Sequence, residues 1–432
     1  MRIWRRFCVA LVTACMLPFA AVCASGATAT PAESLREAET LCRKDGGALW
    51  GRSLCGPMLL VDPGTRSVFA NQPDKQNVLR RDGEIFTGRL PNEINIANTA
   101  ADWAGLKWTM IMLPLPEDAG RRAALLAHEM WHRIQEELGF PPSSAANNHL
   151  DTRDGRYWLQ LEWRALSGAL AARGDERKRA VTDAALFRAR RRQLFEKAAE
   201  EERSMELHEG LAEYTGVRLS GHHDLERFVI EGRLKDAPAN KTFVRSFAYA
   251  SGPSYGLLLD AANGEWRRGL TKDADLAQLL FTRLDIEMPP DVGRAADERA
   301  SSYGGLELAA AEDKLAQTRR ELIDSYRARL VEGATLTIPL QKMNMQFNPG
   351  NLVALEPLGT VYPDIRIVDV WGVLTVSRGG ALMSSDFSKI TVAAPAKTDG
   401  RKIEGDGWTL EVKEGWSVTP AEREGSFLLR RE

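Results

Sequence analysis

The period of the apolar positions changes twice along the chain. Between residues 36 and 115 the apolar runs are short, as strands are. Met58 to Asp62 and Ser67 to Ala70 flank Pro63-Gly64, a turn signal, and read as a hairpin; Trp108 to Leu113 is a further strand-like run. From about 116 the period becomes helical. Pro116, Glu117 and Asp118 suit a first turn, where proline fits and carboxylates meet the positive helix end. Leu126, Met130 and Ile134, with Ala127, Trp131 and Leu138, then recur at helical spacing until Gly139 and Pro141. Tyr157 to Ala172 reads as a second helix ending near Gly174, the charged stretch Glu176 to Gly216 as a long helical segment, and Leu306 to Val331 as another. After Gly333 the period is two: Ile365, Ile367, Asp369 and Trp371 alternate with Arg366, Val368, Val370 and Gly372, and Trp408-Leu410-Val412 and Phe427-Leu429 repeat the pattern.

These periods predict an α+β chain: a domain over 25–333, with a mainly β part at 35–115 and a mainly helical part at 116–333, and a separate small all-β domain over 334–432. The length of 432 residues fits two or three domains.

The start of the chain has the pattern of a targeting segment. Arg2, Arg5 and Arg6 precede the apolar run Phe7 to Val22, and Val22-Cys23-Ala24 offers a cleavage site, so residues 1–24 read as a signal peptide and the mature chain as periplasmic or secreted. Lipid anchoring at Cys23 is the weaker pattern, because Val22 and Ala20 stand where that motif prefers a small residue and leucine. Residues 25–35, small and polar, read as a disordered mature N-terminus. Two of the five cysteines, Cys42 and Cys55, fall outside the signal; in an oxidising compartment they should pair. No second long apolar segment follows, so no membrane span is expected in the mature chain. With 57 basic against 59 acidic residues and a net charge of −2, nothing favours nucleic acid or a polybasic membrane contact.

The chemistry concentrates at His128-Glu129-Met130-Trp131-His132. Histidines at i and i+4 share one helical face and can reach one Zn2+, and a glutamate next to the first can take a proton from water held there. This is the HExxH pattern of zinc metallopeptidases, the zincins. A catalytic zinc takes three protein ligands. Gln135 and Leu138 stand where the metzincin subclass needs glycine and histidine, which excludes it. His149, in an Asn-rich loop, is a weak third ligand. Two glutamates on predicted helices compete: Glu209 and Glu162, the latter with an ion pair to Arg164 or Arg156 as its plainer role.

Glu209-Gly210-Leu211-Ala212 resembles the Asn-Glu-Gly-Phe-Ala helix of the gluzincin aminopeptidases, the family of aminopeptidase N and leukotriene A4 hydrolase. His208 replaces the asparagine, Leu211 the phenylalanine, and the gap from His132 is longer. The resemblance implies a zincin-like fold, Zn2+ held by His128, His132 and Glu209, and Glu129 as general base. It also implies a tyrosine that donates to the oxyanion: Tyr249, which with Gly252 matches that family's Tyr-x-x-Gly in order and spacing; Tyr255 is the alternative. Glu213, one turn past Glu209, is placed to accept an imidazole N–H. The implied substrate is a peptide or protein. No Gly-x-Met-Glu-Asn segment, that family's amine-binding signature, lies upstream. The rival reading from another class is a catalytically silent zincin fold that binds a partner. A closed structural zinc site needs four protein ligands and is disfavoured with only two cysteines in the mature chain.

Overall fold

The computed structural model describes residues 29–91, 94, 96–143, 145–262, 265–348, 351–397 and 400–432. The signal-peptide reading and Cys23 lie outside the described residues. The described chain is mixed α+β, with a helical middle and an all-β C-terminal region.

The N-terminal stretch departs from expectation at once. A helix, α1 (Pro31–Asp45), takes in residues 31–35 of the expected disordered lead and the first ten residues of the stretch expected to be β. Thr30 caps it: its hydroxyl accepts from Glu33 N while the Glu33 carboxylate reaches back to Thr30 N, and Pro31 presets the first turn. Cys42 near its end is joined to Cys55 by a disulfide, Cα atoms 5.1 Å apart.

Six strands follow: β1 (Met58–Val61), β2 (Ser67–Ala70), β3 (Arg80–Asp82), β4 (Ile85–Arg89), β5 (Thr99–Trp103) and β6 (Leu106–Met112). They form one sheet in the order β3-β4-β2-β1-β6-β5. The Pro63-Gly64 hairpin joins β1 and β2, and β1 runs parallel to β6. β5 pairs only with β6 and leaves its other edge free among the described residues.

The helical middle comprises α2 (Ala119–Ile134), α3 (Arg153–Ala171), α4 (Gly174–Leu194), α5 (Ala198–Met205), α6 (Leu211–Leu219), the short α7 (Leu225–Val229), α8 (Ala248–Ala261), α9 (Leu276–Arg283), α10 (Val292–Ala300) and α11 (Gly305–Arg327). The stretch read as one helix over 176–216 is therefore three segments. α5 and α6 are joined without a break by a π turn, Glu206–Gly210. One apolar core is shared by α1, α2, α3, α4, α6 and α8 and by Leu60 and Ile111 of the sheet.

From Thr335 onward the chain is strand: a seven-stranded and a five-stranded sheet whose inward residues, among them Leu336, Ile367, Leu374 and Leu410, share a core of their own. Tyr326 and Leu330, at the end of α11 and just past it, pack on Val353, Val361 and Leu382 of that region. No helix among the described residues is long and apolar enough to cross a membrane.

Candidate metal centre

α2 carries the histidines because its sequence buries most of its circumference. Asp118, at the N-cap, accepts from Arg121 N, which starts the helix after the Pro116-Glu117 pair and not at it. Leu126, Ala127, Met130, Trp131 and Ile134 enter the core. The remaining face bears Arg121, Leu125, His128, Glu129 and His132, and lines a cleft of about 650 Å³. Across the cleft lies β5, contributing Thr99, Ala100 and Asp102; Glu209, Glu213, Arg233, Arg245 and Tyr249 close the far end.

The hydrogen bonds fix the imidazole tautomers. His128 Nδ1 donates to Glu213 Oε2 at 2.9 Å, and His132 Nδ1 donates to Gln135 Oε1 at 2.7 Å. A carboxylate and an amide oxygen only accept, so in the neutral imidazoles both Nε2 atoms carry lone pairs. These face each other at 3.1 Å, and Glu209 Oε2 lies 3.5 Å from one and 3.6 Å from the other. Three lone-pair donors thus form a triangle. Tetrahedral bonds of the usual zinc lengths require donor separations of about 3.3 Å. The edges match, and two imidazoles with one carboxylate are a borderline-soft donor set that suits zinc. His128, Glu129 and His132 also satisfy the spacing for a metal group, their ligand atoms within 4.8 Å of one another.

Electrostatics favour a cation at this point. Burial pulls the His128 imidazole down, but the Glu209 and Glu213 carboxylates outweigh it and push it up to about 10, a proton on Nε2 then standing where a metal cation would. Burial works against Glu209 too, yet the three imidazoles that face it, His128, His132 and His208, hold its carboxyl far below the ordinary range. Glu129 differs: burial raises it, with the two histidines opposing, and its Oε2 has no hydrogen-bond partner among the described residues. An ionisable oxygen with a raised pKa and a spare lone pair beside the triangle is equipped to accept a proton.

Glu209 sits on the π turn Glu206–Gly210. Such turns insert one residue into a helix and re-aim the side chains around it. A Cβ on Gly252 would stand 2.2 Å from Gly210 Cα, so α8 packs directly on the π turn. The closest approach to α2 comes later: a Cβ on Gly216 would stand 2.5 Å from Ala124 O. Gly210, next to Glu209, therefore serves contact with α8.

The remaining sequence-picked residues divide cleanly. Tyr249 is in the cleft, its hydroxyl donating to Glu209 Oε2 at 2.5 Å and its ring stacked on His128. Glu213 is in the cleft as the His128 acceptor. Glu162, Tyr255 and His149 are not. Glu162 is held by Arg188 at 3.0 Å and Arg191 at 2.6 Å, in place of the helix-mates Arg164 or Arg156, and Tyr255 donates to it at 2.6 Å. His149 pairs with Glu202 at 3.0 Å. No described residue of 155–200 lines the cleft, so α3 and α4 pack behind the centre and form none of its walls.

Three contributors had no sequence signal. Gln135 Nε2 donates to His208 Nδ1 at 3.1 Å, and His208 Nε2 donates to Glu209 Oε1 at 3.1 Å. With His132 this makes a continuous chain, His132 to Gln135 to His208 to Glu209, linking two of the three triangle atoms. Arg245 donates to the same Glu209 Oε1. Only Gln135, one turn after His132, was within reach of helical spacing; the others come from distant segments. Comparison with protein-family models, with curated proteins and with solved structures finds no match for this chain.

Proposed function

We propose that this chain is a zinc-dependent peptidase of the HExxH, gluzincin-like type, exported from the cytoplasm and acting on peptide or protein substrates. The observation that carries the reading is the triangle of His128 Nε2, His132 Nε2 and Glu209 Oε2 with the unpartnered Glu129 oxygen beside it. Zn2+ held by these three residues would supply a Lewis acid that makes water acidic near neutral pH. Glu129 takes a proton from that water and delivers it to the leaving amine. The free edge of β5 lies along the same cleft as α2 and offers unpaired backbone groups to an extended peptide, which would present its scissile amide to Glu129. Glu213 and Gln135 fix the two imidazole tautomers so that both Nε2 lone pairs stay turned inward. The Cys42–Cys55 disulfide accords with an oxidising compartment.

The test is metal content read beside activity. The mature chain should bind one zinc and cleave fluorescein-labelled casein in a chelator-sensitive manner. Glu129→Gln should keep its zinc and lose on the order of 10³-fold in rate. Equal rates for wild type and E129Q, or absence of zinc from the purified protein after zinc loading, would overturn the reading. A zinc-loaded wild type that cleaves nothing favours the silent binding protein.

A further inference from the structure

Amide hydrolysis gathers negative charge on the carbonyl oxygen, and one fixed donor aimed there contributes on the order of 10²–10³ in rate. Tyr249 has a single O–H, and it is given to Glu209 Oε2. Its ring, 5.5 Å from that of His128 and within 10° of parallel, fixes the phenol in that position. A phenol donates once, so Tyr249 has nothing left for a substrate oxygen.

Arg245 does. Its guanidinium has five N–H donors in a rigid fork and is permanently charged. It donates to Glu209 Oε1 and to the Tyr249 hydroxyl, yet its side chain remains 58% exposed where it lines the cleft. The other cleft cations are spent or remote. Arg233 donates to Glu213 Oε1 at 2.5 Å and Lys107 to Glu136 at 2.5 Å. Arg121 is in the first turn of α2, about 10 Å along the helix from His128.

We propose that Arg245 is the catalytic residue that stabilises the oxyanion, and that Tyr249 is a positioning residue holding Glu209 and Arg245 together. The assignment rests on the peptidase reading. The water oxygen bonds to the carbonyl carbon as Glu129 takes a water proton, and the C=O π pair moves onto oxygen, where the spare Arg245 N–H groups donate. The pair then returns, the C–N bond breaks, and Glu129 passes its proton to the departing nitrogen, leaving a free carboxyl and a free amine.

The experiment uses the zinc-loaded mature chain, labelled casein as substrate and an apolar phosphinic pseudopeptide as anionic tetrahedral probe. Arg245→Gln should lower kcat about 100-fold with zinc content unchanged, and weaken the phosphinic peptide by a similar factor. Arg245→Lys should recover part of the loss, and added guanidinium ion should partly rescue Arg245→Gly. Tyr249→Phe should cost less than about tenfold in kcat. An R245Q rate within about threefold of wild type, or a Y249F loss exceeding that of R245Q, overturns the assignment. If E129Q is inactive in the same assay while R245Q is not, the peptidase reading survives and only Arg245 falls. A wild type that neither cleaves casein nor binds the phosphinic peptide overturns both.

Discussion

Glu206 and Glu209 share one π turn, and their carboxylates enter opposite environments. Glu206 turns into a fully buried cluster. Arg188 reaches it at 3.0 and 2.5 Å and reaches Glu162 at 3.0 Å; Arg191 joins Glu162 at 2.6 Å to Glu202 at 2.7 Å; Arg192 and Asp275 close the rim. Glu209 turns the other way, onto two imidazoles. Guanidinium cannot surrender its proton, so each carboxylate in the first cluster faces a permanent cation and no coordinating lone pair is left over. Imidazole can be neutral, and with the Nδ1–H groups of His128 and His132 given to Glu213 and Gln135, both Nε2 atoms can then offer lone pairs beside the carboxylate. The same residue class, three positions apart, is given wholly to arginine in one place, while in the other arginine takes only Oε1 and Oε2 faces the two imidazoles. The contrast follows from the partner, since both carboxylates are equally buried.

Exchanging one carboxylate of each cluster, Glu209 and Glu162, for alanine tests the contrast at its strongest. Glu209→Ala should lose zinc and activity together while remaining folded, because the cleft admits water in its place. Glu162→Ala should keep zinc and lose stability. It strips Arg188 and Arg191 of a shared acceptor where their side chains are at most 1% exposed, and breaking such a pair costs about 3–5 kcal/mol. Zinc analysis and thermal unfolding of the two variants check this. Full zinc in E209A, or a folded E162A without zinc, would reverse the roles given to the two glutamates.

How far this was legible in the sequence depends on how local each feature is. The HExxH face was readable because its groups lie within little more than one helical turn of one strongly patterned helix. The C-terminal strands were readable because Ile365 and Ile367 on one strand, and Leu374 and Val376 on the next, alternate inward, as the period of two requires. The arginine cluster was not, since the apolar pattern counts Arg188 and Arg191 as solvated when their charges are cancelled inside. α4 therefore looked like an exposed face. Nor does a π turn leave a composition mark, so the exact aim of Glu209 could be had only from resemblance. Arg245 acquires meaning only from Glu209, and His208 only from Gln135, which the fold brings to them. α1 was missed for a different reason: its capping box at Thr30 and Glu33 was present, but small residues around it outweighed the signal.

A finer test separates the two clusters by their supports. The proposed metal centre is braced by hydrogen bonds passing from His132 through Gln135 and His208 to Glu209; the arginine cluster has no such relay. Gln135→Ala and His208→Ala should each weaken zinc binding by about 10–100-fold, measured by chelator competition, with little change in unfolding temperature of the zinc-free protein. Gln135→Glu is more discriminating. A carboxylate there can accept from both imidazoles only if His208 moves its proton to Nδ1, which removes the bond to Glu209. Cobalt substitution should then show a shifted visible spectrum in Q135E. Wild-type zinc affinity in both alanine variants would remove the relay from the account.

The smallest expected effect concerns pH and falls on the arginine side of the comparison. Burial pushes Glu206 up to about 7 in spite of Arg188, which it shares with Glu162. Its folded-state value therefore lies above its unfolded one. The stability linked to its proton is fully present below about pH 4.5 and is lost as pH rises through about 7. Glutamine mimics the protonated group and has no such dependence. Unfolding free energies of wild type and Glu206→Gln should accordingly be closest near pH 5. Wild type should fall behind the variant as pH rises to 8, by up to about 3 kcal/mol, since a carboxyl whose pKa folding displaces by one pH unit contributes about 1.4 kcal/mol. Taking the difference between the two proteins cancels the titration of Glu202, which its arginines hold low and which acts in the opposite direction. If wild type instead gains on E206Q as pH rises, Arg188 dominates over burial. Glu206 would then be an ordinary ion-paired carboxylate, ionised as Glu209 is.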